Sequence, residues 1–180
     1  MPTARFFDSS VHGITIYDGS PDQKITFTSN PYDWLEASFF YTNIQGKPYP
    51  GSGFSQDYKD KGFNFKLRLK EEGVFPALAI GFNDIAGTGY YSSEYVVGSY
   101  GIDNLDFHFG VGWGSLSGSN ATFKNPLIYI DDQFAERPLS GEGQGGSFDL
   151  KRYFSSKRIA PFYGISYVVN EKLLFKFEKD

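Results

Sequence analysis

From Gly62 to Lys70 apolar and polar residues alternate one by one, with Phe63, Phe65, Leu67 and Leu69 set against Asn64, Lys66, Arg68 and Lys70. Successive side chains of an extended strand point to opposite sides, so this spacing makes one greasy face and one cationic face. The same period returns at Leu105, Phe107, Phe109, Val111 and Trp113 against Asp106, His108, Gly110, Gly112 and Gly114. It recurs at Leu35, Ala37, Phe39 and Tyr41; at Leu78, Ile80 and Phe82 opposite Ala77, Ala79 and Gly81; at Tyr163, Ile165, Tyr167 and Val169; and at Leu173, Phe175 and Phe177. Weaker copies lie at Gly13–Tyr17, Lys24–Ser29, Glu94–Tyr100 and Gly146–Phe154. Together they predict an all-β chain of about ten strands. Turn signals stand between them at Asp18-Gly19, Ser29-Asn30-Pro31, Glu72-Gly73, Asn83-Asp84 and Asn170-Glu171, and links that short imply an antiparallel meander. Two connections are long, Asn43–Asp60 and Ser115–Gly145. Short turns at one end and long loops at the other is the habit of outer-membrane barrels.

Alternation alone fits two architectures. A β-barrel in a membrane turns its greasy side to lipid and its polar side to a lumen, whereas a soluble β-sandwich seals the greasy sides of two sheets together. The clean alternations run for about seven to nine residues, slightly short of the roughly 10 that a tilted strand needs to span the apolar band. Trp34, Tyr90, Tyr91, Tyr95, Tyr100, Trp113 and Tyr163 fall near expected strand ends, where an interfacial girdle would sit. In a soluble sandwich, Trp34 and Trp113 would instead make a stacking platform for sugar rings.

Composition narrows the partners more than the fold. At 180 residues one unit is enough, and aromatics at 19% beside 21 glycines suit close-packed, bent sheets. No apolar run approaches the roughly 20 residues of a membrane helix. A net charge of -4 offers no field to attract nucleic acid, and the absence of cysteine removes disulfides and thiolate metal sites. The first residues, Met1-Pro2-Thr3-Ala4-Arg5, lack the apolar core of a signal peptide, so none is expected within this chain.

Little in the chain resembles catalytic machinery. His12 and His108 are the only histidines, no metal-ligand spacing occurs, and no cofactor motif is complete. Asp84–Gly89 has the glycines of a phosphate loop without its lysine or helix, and reads as a tight turn. Gly141–Gly146 reads as a connector, and Asp131-Asp132 as a solvated acidic loop in preference to a calcium site. Glu36, Glu94 and Glu178 are the carboxylates that a glycoside hydrolase would have to pair. The simpler reading sets Glu36, Lys66, Arg68, Glu94, Lys176 and Glu178 on the polar face of a curved sheet, paired across strands for roughly 0.2 to 1 kcal/mol each. In a wide barrel that face is a wetted wall. Asp106 and His108 join it, Asp84 shapes it from a turn, and Lys66 and Arg68 add attraction for acidic sugars. The expectation is a non-enzyme with no catalytic residue, cofactor or metal.

Several blocks in fixed order carry a resemblance: Met1–Arg5, DWLEASFFYT at Asp33–Thr42, YKDKGFNFKLRLKEEG at Tyr58–Gly73, PALAIGFNDIAGTGYYSSEYVV at Pro76–Val97, LDFHFGVGWG at Leu105–Gly114, NPLIYIDDQF at Asn125–Phe134 and PFYGISY at Pro161–Tyr167. The chain resembles the YjbH family of exopolysaccharide and capsule biosynthesis outer-membrane proteins over nearly its whole length. The resemblance implies a β-barrel in the Gram-negative outer membrane, encoded with polysaccharide-secretion machinery and without catalytic residues. Its implied partners are outer-membrane lipid, extracellular polysaccharide and other secretion proteins. Family members are several times longer and begin with an export signal, so residues 1–180 are expected to be a single barrel-forming unit, the amino-terminal portion of a longer barrel. Such a unit closes by itself or stays an open segment. The expected function is export or assembly of exopolysaccharide or capsule. The alternatives are a soluble carbohydrate-binding β-sandwich and a glycoside hydrolase fragment.

Overall fold

A computed structural model describes residues 1–49, 56–118, 121–138 and 150–179. The alternation is realised as β1 (His12–Asp18), β2 (Asp22–Tyr32), β3 (Leu35–Pro48), β4 (Asp57–Lys70), β5 (Ala77–Ile85), β6 (Ser93–Ile102), β7 (Leu105–Gly114), β8 (Phe123–Lys124), β9 (Arg158–Asn170) and β10 (Leu173–Lys179). They form one antiparallel sheet in the order β1-β2-β3-β4-β5-β6-β7-β9-β10, with the short β8 also pairing with β9. The sheet is open. β1 and β10 are its free edges, and no second sheet stacks on it among the described residues, so the β-sandwich alternative fails on architecture.

Several strands outrun their sequence signal. β3 and β4 stay paired through Asn43↔Lys59 and Ile44↔Tyr58, in a stretch that reads as loop from its Gly and Pro content. The reason is that Thr42 and Ile44 on one strand, and Tyr58 and Asp60 on the other, are all buried. Both strands thereby reach 14 residues, enough to span an apolar band that needs about 9 to 11. The turn expected at Asn30-Pro31 is instead an irregularity inside β2, and the chain reverses at Asp33-Trp34. Of the strand expected at Gly146–Phe154, residues 146–149 lie outside the described residues and Leu150–Arg152 forms a 3-10 turn.

Register carries polarity across the whole sheet. Ile14, Phe27, Phe39 and Phe63 stand side by side on one face, and so do Leu78, Gly98, Phe109 and Tyr163. The opposite face carries Glu36, Lys66, Gly81, Tyr95 and Gly112 in one row. The greasy face is the exposed one: Ile16 is 73% accessible, Phe109 62% and Phe177 68%. Burial lies on the polar side, where Ala4, Ala77, Ala79, Tyr95, Val97 and Phe162 cluster with Met1, Phe6 and Leu116 against them.

Two glycines let large rings lie flat on that polar side. Tyr95 faces Gly81 across the ladder and Phe162 faces Gly110. A Cβ on Gly81 would sit 2.1 Å from the Tyr95 ring, and one on Gly110 2.3 Å from the Phe162 ring. Any larger residue would force the rings off the wall.

Candidate functional site: the polar face and the segment laid across it

The polar face collects the charged positions of the alternating strands, and the chain covers it with its own amino-terminal segment. Ala4 is held where its N–H donates to Ser99 Oγ at 2.9 Å, and Ser99 Oγ shares a 2.8 Å hydrogen bond with His108 Nδ1. Arg5 then forks onto Asp106, its Nε donating at 2.9 Å and its Nη2 at 2.5 Å, while Nη2 also meets Glu72 at 2.6 Å. Two carboxylates on one guanidinium, with Asp106 contributing most, push the Arg5 pKa upward against partial burial. Lys66 donates to the Arg5 carbonyl at 2.6 Å and pairs with Glu36 at 3.0 Å. Its Nζ also lies 4.4 Å from the centre of the Phe6 ring, and the Arg68 guanidinium 4.6 Å from it. The Asn30 side chain closes the run by donating to the Phe7 carbonyl at 3.4 Å. The segment therefore bridges β2, β4, β6 and β7, at the end of the sheet where the short turns lie.

The other end is filled by the β5–β6 connection. Asp84 and Ala86 have φ of 58° and 54°, which turns the chain inward, and Thr88 donates to the buried Asp60 at 2.5 Å. Tyr91 donates its hydroxyl to Asp22 at 2.7 Å, and its N–H donates to Asp84 at 3.2 Å. Burial first, then that bond to Asp22, pushes the Tyr91 pKa up. Lys24 lies 4.4 Å from the Phe40 ring on the same inner face. Two small hollows lie on the polar side among the described residues. A hollow of about 230 Å³ lies beside Arg5, Arg68 and Glu72, and one of about 120 Å³ lies beside Glu36, Lys66 and Tyr95. Both fall below the roughly 300 Å³ at which sites for drug-sized ligands begin.

On the apolar face one end is capped. Glu94 is fully buried beneath the β7–β9 connection, where it accepts from the Arg137 guanidinium and, at 2.8 Å, from Phe154 N–H. Beside it, Trp113 donates its indole N–H to Asn125 at 3.1 Å, and Asn125 donates to three backbone carbonyls of that connection. Phe82 and Trp113 pack edge-on against Phe154.

The structure groups Glu36, Lys66, Arg68, Asp106 and His108 on the polar face, with Lys176 and Glu178 at its open β10 edge; Asp84, expected in a turn, instead lies near the end of β5 with a φ of 58°. Glu94 departs from that grouping: it pairs with Phe82 and Trp113, so its side chain emerges on the apolar face under the connection. Tyr95 and Trp113 also leave the expected girdle, the first on the inner wall and the second under the same cap. Glu36, Glu94 and Glu178, the carboxylates weighed for hydrolysis, therefore do not share one face. Asp131 spends its carboxylate accepting from Gln133 N–H. Among the described residues no three His, Asp or Glu side chains group closely enough to hold a metal ion. Gly141–Gly146 lies outside the described residues. No sequence pattern marks Arg5, Asp22, Asp60, Glu72, Asn125 or Arg137 as a site residue. Asp22 and Asp60 continue the period of two beyond the hydrophobic signal, whereas Arg5 and Arg137 sit in segments with no period at all.

An antiparallel sheet that exposes its apolar side and fills its polar side defines an inside-out β-sheet protein. The chain belongs to the YjbH family: the family model described as exopolysaccharide biosynthesis protein YbjH matches residues 1–180. It is 35% identical over 170 residues to the Escherichia coli (strain K12) protein named "Uncharacterized lipoprotein YjbH", a match covering 92% of this chain and 24% of that protein. The chain thus spans about a quarter of the length of the curated relative it matches. No solved structure matches it.

Proposed function

We propose that this chain forms lipid-facing wall of an outer-membrane β-barrel that takes part in export or assembly of exopolysaccharide or capsule. The observation that carries this reading is the inversion of the sheet, with Ile16, Phe109 and Phe177 in the open and Lys66, Ser99 and His108 under cover. Soluble monomers rarely leave contiguous apolar patches beyond a few hundred Å² in water. Against acyl chains the same face carries no such cost, and neighbouring strands pair their backbones along the sheet from β1 to β10. Barrels remove free edges by closure, so β1 and β10 are taken up by further strands of a longer chain. The greater length of the Escherichia coli relative and its lipoprotein name agree with such a membrane-attached whole.

The role is passage or assembly and not turnover. Glu36 and Glu94 are each committed to a cation, Lys66 and Arg137, and lie on opposite faces of the sheet. Lipid, extracellular polysaccharide and other secretion proteins are the partners this role requires. The test is fractionation of the full-length protein: it should need detergent for extraction and run faster on gels before boiling than after. Recovery of folded protein from the aqueous fraction without detergent would end the proposal.

A further inference from the structure

The amino-terminal segment uses the wall where a glycan would have to bind, and the chemistry of its hold indicates what replaces it. Glu36 is matched by Lys66 at 3.0 Å and Glu71 by Arg68 at 3.2 Å. Those ion pairs lie outside the segment, although Lys66 also donates to the Arg5 carbonyl and both cations rest against Phe6. Glu72 and Asp106 are different, because both converge on the one Arg5 guanidinium, and His108 lies only at 3.6 Å from Asp106. If Arg5 leaves, two partly exposed carboxylates lose their cation together, next to a hollow of about 230 Å³ lined by Arg5, Phe6, Arg68 and Glu72. An anionic sugar would meet those carboxylates unfavourably and find Lys66 and Arg68 already paired. A protonated amino sugar would restore the lost charge with N–H donors of the same kind.

Resting on the membrane-glycan reading above, we propose that Ala4–Phe7 is an internal competitor for glycan, seated by Arg5 between Glu72 and Asp106, and that polymers bearing free amino sugars displace it. The population in which the segment is seated taxes the apparent affinity of any ligand for the wall. Loosening the segment therefore tightens binding instead of weakening it, which is the opposite of what loss of an ordinary binding residue does.

The experiment uses full-length protein in detergent, with glucosamine oligomers as the probe and N-acetylglucosamine oligomers and oligogalacturonates as controls. Arg5→Ala should bind glucosamine oligomers about tenfold more tightly than wild type, the shift expected for removing roughly one charge-assisted contact. Arg5→Lys, which keeps a cation between the carboxylates, should stay near the wild-type affinity. An Ala4→Cys variant reports seating directly, since Ala4 is buried, with labelling of the unsubstituted full-length protein subtracted as background. Its thiol should be shielded from maleimide and become reactive when glucosamine oligomers are added. Equal affinity in wild type and Arg5→Ala, or a labelling rate indifferent to the oligomer, would overturn the competitor while leaving the membrane reading intact. Preference for oligogalacturonates would overturn the assigned sugar class. Failure of every oligosaccharide to bind every variant would overturn this inference and the glycan part of the function together, whereas heat-modifiable migration of the same samples reports on the barrel alone.

Discussion

The two faces of one sheet obey opposite rules. On the polar face Glu36, Lys66, Arg68 and Asp106 all have charged partners, and rings over glycines, the amino-terminal segment and the β5–β6 connection fill most of the space, leaving two small hollows. On the apolar face most side chains are large and open, except under the β7–β9 connection, where Trp113 and Glu94 are sealed. The difference teaches that the interior of this protein lies on its hydrophilic side. Packing constraints should therefore be strictest where the sequence looks most polar and small, and loosest where it looks most hydrophobic.

Glycine substitutions sharpen that contrast most. Gly110→Val drives a side chain into the Phe162 ring and comes 2.7 Å from the Val96 carbonyl. Overpacking against backbone should cost about 3 kcal/mol or more and prevent recovery of folded full-length protein from urea. Arg137→Ala comes next, because it leaves Glu94 buried without its cation. A loss of about 2 kcal/mol is expected, with Arg137 itself partly exposed, and limited proteolysis should cut the β7–β9 connection first. Trp113→Phe removes the bond to Asn125 together with part of a buried ring, and should cost about 1.5 kcal/mol in the same urea titration. Smallest of all is Gly98→Val on the apolar face, where the nearest atoms, 3.6 to 3.8 Å away, are at ordinary contact distance. It should shift stability by less than about 0.5 kcal/mol. If Gly98→Val proves as damaging as Gly110→Val, the two faces do not differ in the way described.

The strands themselves were legible because a period of two is a local signal: Leu105–Gly114 is both the expected and the observed span of β7. Their ends were less so. Ile44 and Tyr58 extend the ladder through a stretch rich in Gly and Pro, and burial on the polar face, which no hydropathy pattern registers, decides that extension. Glu94 shows the limit most clearly. Its charge argues for the polar wall, but the register with Phe82 and Trp113 puts it on the other side, and Arg137, more than forty positions away, makes that burial tolerable. The seating of Arg5 was equally hidden, since it depends on Glu72 and Asp106 meeting at a point that only the folded meander creates. The meander of ten antiparallel strands follows the expected order, and it stays open, with β1 and β10 as its edges.

Ile165 and Ser166 are neighbours in β9 that point to opposite faces, Ile165 beside Phe107 and Ser166 beside Asp106. Introducing tryptophan at each in turn, in full-length protein reconstituted into vesicles of lipids brominated along the acyl chain, probes the two faces separately. Quenching above the wild-type background at Ile165→Trp with little at Ser166→Trp is the predicted result; equal quenching at both, or none at Ile165→Trp, would contradict a lipid-facing apolar wall.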